Sequence, residues 1–171
     1  MVDATNVKMG VCSVKFNGND LGHTKGGVTV NYAPEYHDIS VDKYGNSVVE
    51  KVLIGESLKA TVPLAEFTVE NLLVAMPAST VGGSNARATV GKDAGALLSS
   101  AAHMLVLHPL ANAANDLSED VVIYKAVVGS EIEIGMNNDG EKIIEVEFEG
   151  LIDETKSPGS RLGLFGDSAG A

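Results

Sequence analysis

Extended segments separated by short turns fill the chain from residue 16 to residue 73, and this pattern restricts the fold more than any other feature. The segments are rich in Val, Ile and Thr, which favour strands, and the turns are rich in Gly, Asn and Asp. Long strands with one polar face usually need neighbours to complete their sheet, which favours assembly over catalysis. The predicted strands of this region are Val28–Tyr32, His37–Val41, Val48–Ile54 and Ser57–Leu64.

One short helix is predicted directly after these strands. Thr68 is a suitable N-cap, Glu70 suits the positive N-terminal end, and Pro77 stops the helix. A helix of this length is not stable alone, so we expect it to pack on a sheet. Its apolar residues recur with helical spacing and form the predicted packing stripe: Val69, Leu72, Leu73 and Met76.

The remaining segments extend the β pattern. A strand is predicted at Val7–Phe16, a weak one at Ala86–Val90 and a compact one at His103–Leu107. A long hairpin is predicted between Val121–Ile134 and Lys142–Ile152, and its turn is Asn137-Asn138-Asp139-Gly140.

The predicted fold is therefore mainly β, an antiparallel β-sandwich or half-barrel with one short flanking α-helix. At 171 residues the chain fits a single domain, 1–171. We expect an N-terminal arm at about 1–6. A C-terminal arm is expected at about 153–171, where Leu162, Leu164 and Phe165 form a small apolar patch that docks on another surface.

Composition narrows the function classes. The net charge is -11, and residues 116–154 hold twelve acids against only Lys125 and Lys142. Such a surface repels phosphate, which argues against tight nucleic-acid binding. Aromatic residues make up 5%, so stacking surfaces for sugars or bases are scarce. The single Cys12 forms no internal disulfide, and no signal peptide or membrane anchor is evident, which predicts folding in a cytoplasm.

No catalytic or metal site is apparent, so we expect neither an enzyme nor a cofactor. Among His23, His37, His103 and His108, only the last two are close, and a strand places them on opposite faces. The Gly-rich run at 22–27 lacks the helix and the Lys-Ser/Thr ending of a phosphate loop. The run at 136–141 fits a hairpin turn better than a calcium loop.

Glutamates alternate with apolar residues in the C-terminal half. In strands of period two this alternation places the apolar side chains inward and a row of carboxylates outward. A plain solvated face explains the pattern as well as a functional one does. The carboxylates of the predicted row are Glu131, Glu133, Glu145, Glu147 and Glu149.

The order of several segments resembles that in tail tube proteins, the major tail proteins of long-tailed bacteriophages. The segments lie between residues 7 and 167 and read LGHTKGGVTV, VDKYGNSVVEKVLIGE, LAEFTVENLL, LVLHP, IYKAV, KIIEVEFEGLID and LFGD. The resemblance implies a ring oligomer, hexameric in the family, whose inner strands complete one continuous β-barrel and whose rings stack into a hollow tube. It also implies a virion protein of the phage tail, assembled in the bacterial host cytoplasm, that conducts DNA without binding it specifically.

The resemblance further implies partners and sites. The partners are other copies of the chain, tail initiator and terminator proteins, and a sheath in contractile tails. The glutamates named above, or instead Glu50 or Glu56, would line the bore. The family's long hairpin, which contacts a neighbouring subunit or ring, corresponds here to the loop Asp42, Lys43, Tyr44, Gly45 and Asn46.

Two other readings stay open. The chain also fits the inner tube or ring protein of a contractile injection or secretion system that carries no DNA. A small acidic β-sandwich module that binds sugar or calcium has weaker support, because exposed aromatic residues and calcium-ligand clusters are missing from the sequence.

Overall fold

The computed structural model describes residues 10–83, 87–134 and 140–170. The prediction of a mainly β chain with one α-helix is confirmed for these residues. Two short 3-10 turns, Asp42–Tyr44 and Leu98–Ala101, accompany the regular elements. These elements are β1 (Cys12–Phe16), β2 (Asn19–Asp20), β3 (Thr29–Ser40), β4 (Val48–Leu64), α1 (Val69–Ala75), β5 (Thr80–Gly82), β6 (Arg87–Thr89), β7 (His103–Pro109), β8 (Val121–Val128), β9 (Ile144–Gly150) and β10 (Gly163–Phe165).

Eight of these strands form one antiparallel sheet in the order β2-β1-β7-β8-β9-β4-β3, with β10 paired to β8. The sheet is strongly curled. In a flat sheet β1 and β9 would lie roughly 14 Å apart, three strand spacings. The rings of Phe16 and Phe148 nevertheless have centroids only 5.2 Å apart. The curl does not close into a barrel within the described residues, and its concave side holds the core.

The core consists mainly of aliphatic side chains from five neighbouring strands, together with Phe16 and the fully buried Phe148. Alternate residues of β4 and β9 point into it, as the period of two requires. The most deeply buried large members are Val14, Val62, Leu64, Leu105, Ile123, Ile144, Val146 and Phe148.

Helix α1 begins and ends as predicted. The Thr68 hydroxyl accepts a hydrogen bond from the Asn71 amide at 3.1 Å, and the helix ends before Pro77. The predicted stripe of Val69, Leu72, Leu73 and Met76 is half-buried, and Leu72 packs on the core. The most buried helical residues are instead Asn71 and Ala75.

Residues 21–25 run from β2, at one edge of the sheet, to the end of β4. Lys25 N–H donates to the Pro63 carbonyl at 3.0 Å, and Ala65 N–H donates to the His23 carbonyl at 2.8 Å. The His23 backbone N–H donates to Glu66 Oε1 at 2.9 Å, and the His23 ring Nδ1 lies 2.6 Å from the same oxygen. The Gly-rich run at 22–27 is therefore a bend beside the end of β4.

Strands β3 and β4 are longer than predicted. β3 continues through Pro34, because it is the last strand of the sheet and the missing N–H need not pair. β4 continues through Gly55, where the ladder contains a bulge. The four predicted strands are therefore two, joined by the Asp42–Tyr44 turn into one long hairpin.

The second predicted hairpin needs a correction. β8 ends at Val128 rather than Ile134, because Gly129 and Ser130 interrupt the strand. The returning strand is Ile144–Gly150 rather than Lys142–Ile152. The predicted turn at 137–140 lies outside the described residues except for Gly140.

The predicted C-terminal arm contributes a strand to the sheet of its own chain. In β10, Gly163, Leu164 and Phe165 pair with Ile123, Val122 and Val121 of β8. Residues 1–6, the predicted N-terminal arm, lie outside the described residues.

Candidate assembly surfaces

The β3–β4 hairpin projects from the body of the protein. β9 pairs with β4 only over Lys59–Leu64, and within the described residues no strand pairs with residues 48–58 on that side. From Leu58 to Val48 the strand extends roughly 30 Å at about 3.4 Å per residue. The projecting part therefore has free backbone edges on both sides, one on β3 and one on β4.

The projecting part is also apolar. Ile54 is 60% exposed and Tyr36 51% exposed, and neighbouring aliphatic residues are similar. A two-stranded hairpin is at best marginally stable in water, and exposed apolar patches of this kind mark interaction sites. The exposed apolar residues of the hairpin are Tyr32, Tyr36, Ile39, Val41, Tyr44, Val48, Val49, Val52, Leu53 and Ile54.

The two faces of the hairpin differ. Paired residues share a face, and successive residues of β3 alternate between faces. We name the face that continues from buried Leu58 the core-side face. It carries Tyr32, Pro34, Tyr36, Leu53 and Glu56.

We name the opposite face of the hairpin the outer face. Glu50 pairs with Ile39 and so belongs to it. The bulge at Ile54 is the reason that Glu50 and Glu56 lie on different faces. Glu35 also lies on the outer face, with Glu50 and His37. No sequence pattern identifies it, because only the register of the strands reveals this relation.

The alternation of glutamates predicted for the returning strand is present in β9. Val146 and Phe148 are buried, while Glu145, Glu147 and Glu149 pair with Pro63, Thr61 and Lys59 on the outer face. Lys59 Nζ lies 3.0 Å from Glu147 Oε1. The hydrogen bond to Glu147, followed by the charge of Glu149, raises the pKa of Lys59 above its usual value.

Glu131 and Glu133 differ from the three glutamates of β9. They follow the end of β8 and are exposed, while Ile132 between them packs against the core. Ile134 forms a bridge with Ile144, which places Glu133 near the Glu145 end of β9. The five carboxylates therefore do not form one row on paired strands, because β8 stops too early.

The loop of Asp42, Lys43, Tyr44, Gly45 and Asn46 forms the exposed tip of the hairpin. Gly45 has a φ of 63°, a left-handed conformation that suits glycine. The ammonium group of Lys43 lies 5.4 Å from the centre of the Tyr44 ring. The tip thus presents an aromatic side chain and a cation far from the body.

Within the described residues, no group of three or more His, Cys, Asp and Glu is placed to hold a metal ion. The described helices include none that is long and apolar enough to cross a membrane.

A scan against protein-family models and a search of curated proteins find no match to this chain.

Proposed function

We propose that this chain is a structural subunit that associates through its β3–β4 hairpin into rings, and that the rings stack into a hollow tube that conducts DNA. The resemblance to bacteriophage tail tube proteins implies this role. The observation that supports it best is the projecting hairpin, which has free edges on both sides and exposed apolar residues on both faces.

The two free edges are complementary to each other. β3 and β4 are antiparallel, so the free edge of β4 in one copy can pair in antiparallel fashion with the free edge of β3 in the next. Head-to-tail contacts of this kind generate a ring when the rotation closes. Closure of the hairpins into a barrel also removes the unpaired edges, which otherwise promote aggregation.

The proposed ring fixes which face lines the bore. The body of each copy lies on the core-side face of the hairpin, so the outer face turns toward the axis. That face carries Glu35, Glu50, Glu145, Glu147 and Glu149, while Glu56 faces away. An acidic wall repels phosphate and leaves DNA free to slide, whereas a cationic wall would hold it.

Negative-stain electron microscopy of the purified protein over a concentration series tests the proposal. We expect hollow rings or tubes of uniform width above a threshold concentration. Leu53→Glu places a charge on the hairpin and should abolish them. Val90→Glu is the matched control, because Val90 is 73% exposed but lies outside the hairpin. Dispersed particles at every concentration, or normal tubes from Leu53→Glu, would contradict the proposal.

A further inference from the structure

The C-terminal segment is fixed to one buried carboxylate. Asp120 is 1% exposed, His108 Nδ1 lies 2.7 Å from its Oδ1, and Ser168 Oγ donates to its Oδ2 at 2.5 Å. Gly166 N–H donates to the Asp120 carbonyl at 2.8 Å, and Ser168 N–H donates to the Leu117 carbonyl at 3.2 Å. The Ser168 hydroxyl and the Gly166 N–H thus both contact Asp120, although Ser168 and Asp120 are far apart in sequence.

We name residues 161–170 the strap. Its strand β10 covers the part of β8 that β9 does not reach, because β9 pairs with β8 only at Ala126–Val128. The pairing comprises three residues, and Phe165 at its end is 58% exposed. The strap is therefore a short element that is attached both by a three-residue ladder and by its contacts with Asp120.

The strap also lies beside the root of the hairpin. A groove of about 300 Å³ separates them, with Tyr32, Glu56 and Leu58 on one side and Arg161 and Phe165 on the other. Opening of the strap would widen this groove and uncover the backbone edge of β8. An uncovered strand edge recruits another strand.

We propose that the strap opens as a local unit, that the contact between Ser168 and Asp120 holds it closed, and that its opening is required for self-association. The strand that then binds at β8 comes from a second copy, whose identical β10 fits the same position. The connection from Leu151 to Ser160 is long enough to release the strap without unfolding the sheet. This inference rests on the proposed function.

A reversible disulfide tests whether opening is required. Val121 and Phe165 are directly paired, so Val121→Cys with Phe165→Cys, in a Cys12→Ser background, can cross-link the closed strap. We expect the oxidised protein to remain monomeric and the reduced protein to form tubes. The matched control is Thr80→Cys with Thr89→Cys, which cross-links the β5–β6 pair and should assemble in both states.

The outcomes separate the two proposals. Equal assembly of the oxidised and reduced strap variants would overturn the role of the strap and leave the tube proposal standing. Failure of the unmodified protein to assemble would overturn both, since the strap would then have no association to control.

Hydrogen exchange tests, independently of assembly, whether the contact between Ser168 and Asp120 holds the strap closed. Ser168→Ala should increase the exchange rate of the β10 amides about tenfold, as expected for the loss of a hydrogen bond to a buried carboxyl group, without changing that of β4. It should also shorten the lag of assembly measured by light scattering. Ser160→Ala, which removes a hydrogen bond to the Ser157 carbonyl in the preceding loop, should do neither. Identical β10 exchange rates in the two variants would show that the contact between Ser168 and Asp120 does not hold the strap closed.

Discussion

Asn71 attaches helix α1 to the rest of the protein. Its side-chain amide donates to the Leu21 carbonyl at 3.0 Å and to the Glu66 carbonyl at 2.9 Å. The residue is buried, and so is Leu21, whose carbonyl it contacts, whereas the Glu66 carbonyl also accepts from the Thr68 N–H at 3.2 Å. A polar residue thus occupies the centre of the helix face that packs inward.

Asn71→Ala should destabilise the protein by about 1–3 kcal/mol, because it removes the side-chain donor to the carbonyl of buried Leu21. Urea unfolding followed by circular dichroism measures the change. Asn46→Ala, at the exposed hairpin tip, is the control and should leave the midpoint unchanged. Equal midpoints for the two variants would contradict the role assigned to Asn71.

The contact between His23 and Glu66 should make the stability of the protein depend on pH. The hydrogen bonds from the His23 side chain and from the His23 backbone N–H lower the pKa of Glu66 below its ordinary value of 4.5. A carboxyl group whose pKa is lower in the folded state stabilises the fold above its unfolded pKa. That contribution is lost as the pH falls through the folded pKa.

The difference in stability between the wild type and Glu66→Gln should therefore shrink as the pH falls from about 5 to below the ordinary pKa of Glu66. Urea unfolding at several pH values in this range gives the difference directly. A difference that stays constant, or grows, as the pH falls would show that the His23 contacts do not stabilise the ionised carboxylate.

At the scale of the element, β10 depends on a glycine. A methyl group at Gly163 would come within 2.4 Å of the Val122 carbonyl oxygen and 2.6 Å of Leu58 Cδ2. The strand can approach β8 and β4 this closely only because the side chain is absent.

Gly163→Ala should cost about 1–3 kcal/mol through overpacking and should increase hydrogen exchange in β10. Gly129→Ala is the control, since its methyl group would meet only Leu98 Cδ1 at an ordinary 3.8 Å. Measurement of both variants by urea unfolding and hydrogen exchange checks the prediction. A wild-type exchange rate in β10 of Gly163→Ala would refute it.

Elements with a local signal were predictable from the sequence. Helix α1 has an N-cap, an apolar stripe and a stopping proline, and its bounds were found. The length of β3 was not predicted, because a proline such as Pro34 usually indicates the end of a strand. It is tolerated here because β3 lies at the edge of the sheet. β10 and the contacts of Asp120 join residues distant in sequence, so no local pattern could reveal them.

The candidate acidic surface was predictable only in part. The alternation of Glu145, Glu147 and Glu149 with apolar residues identifies the outer face of β9 directly. Glu50 and Glu56 lie on different faces because of a bulge that no sequence pattern predicts. Cross-strand register is a property of two segments together, and it decides which acids can share a face.

At the scale of the whole molecule, the effect of the net charge of -11 depends on which acidic residues face the bore of the proposed ring. A cysteine at position 50 should lie in the bore of the tube, and a cysteine at position 56 should not. Glu50→Cys and Glu56→Cys, each with Cys12→Ser, can be labelled with gold-maleimide and viewed in cross-section by electron microscopy. Gold at the axis for the first variant alone is expected; axial gold for the second would reverse the assignment of the faces.

The unbroken course of β4 has a mechanical consequence. The strand runs from the hairpin tip into the core, so a pull on the tip along the strand loads the whole Lys59–Leu64 ladder with β9 in shear. Bonds loaded in shear must rupture together, whereas bonds at an unzipping end rupture one after another. Tension applied at Tyr44 along the strand would therefore be resisted by the Lys59–Leu64 ladder, whose alternate residues belong to the core.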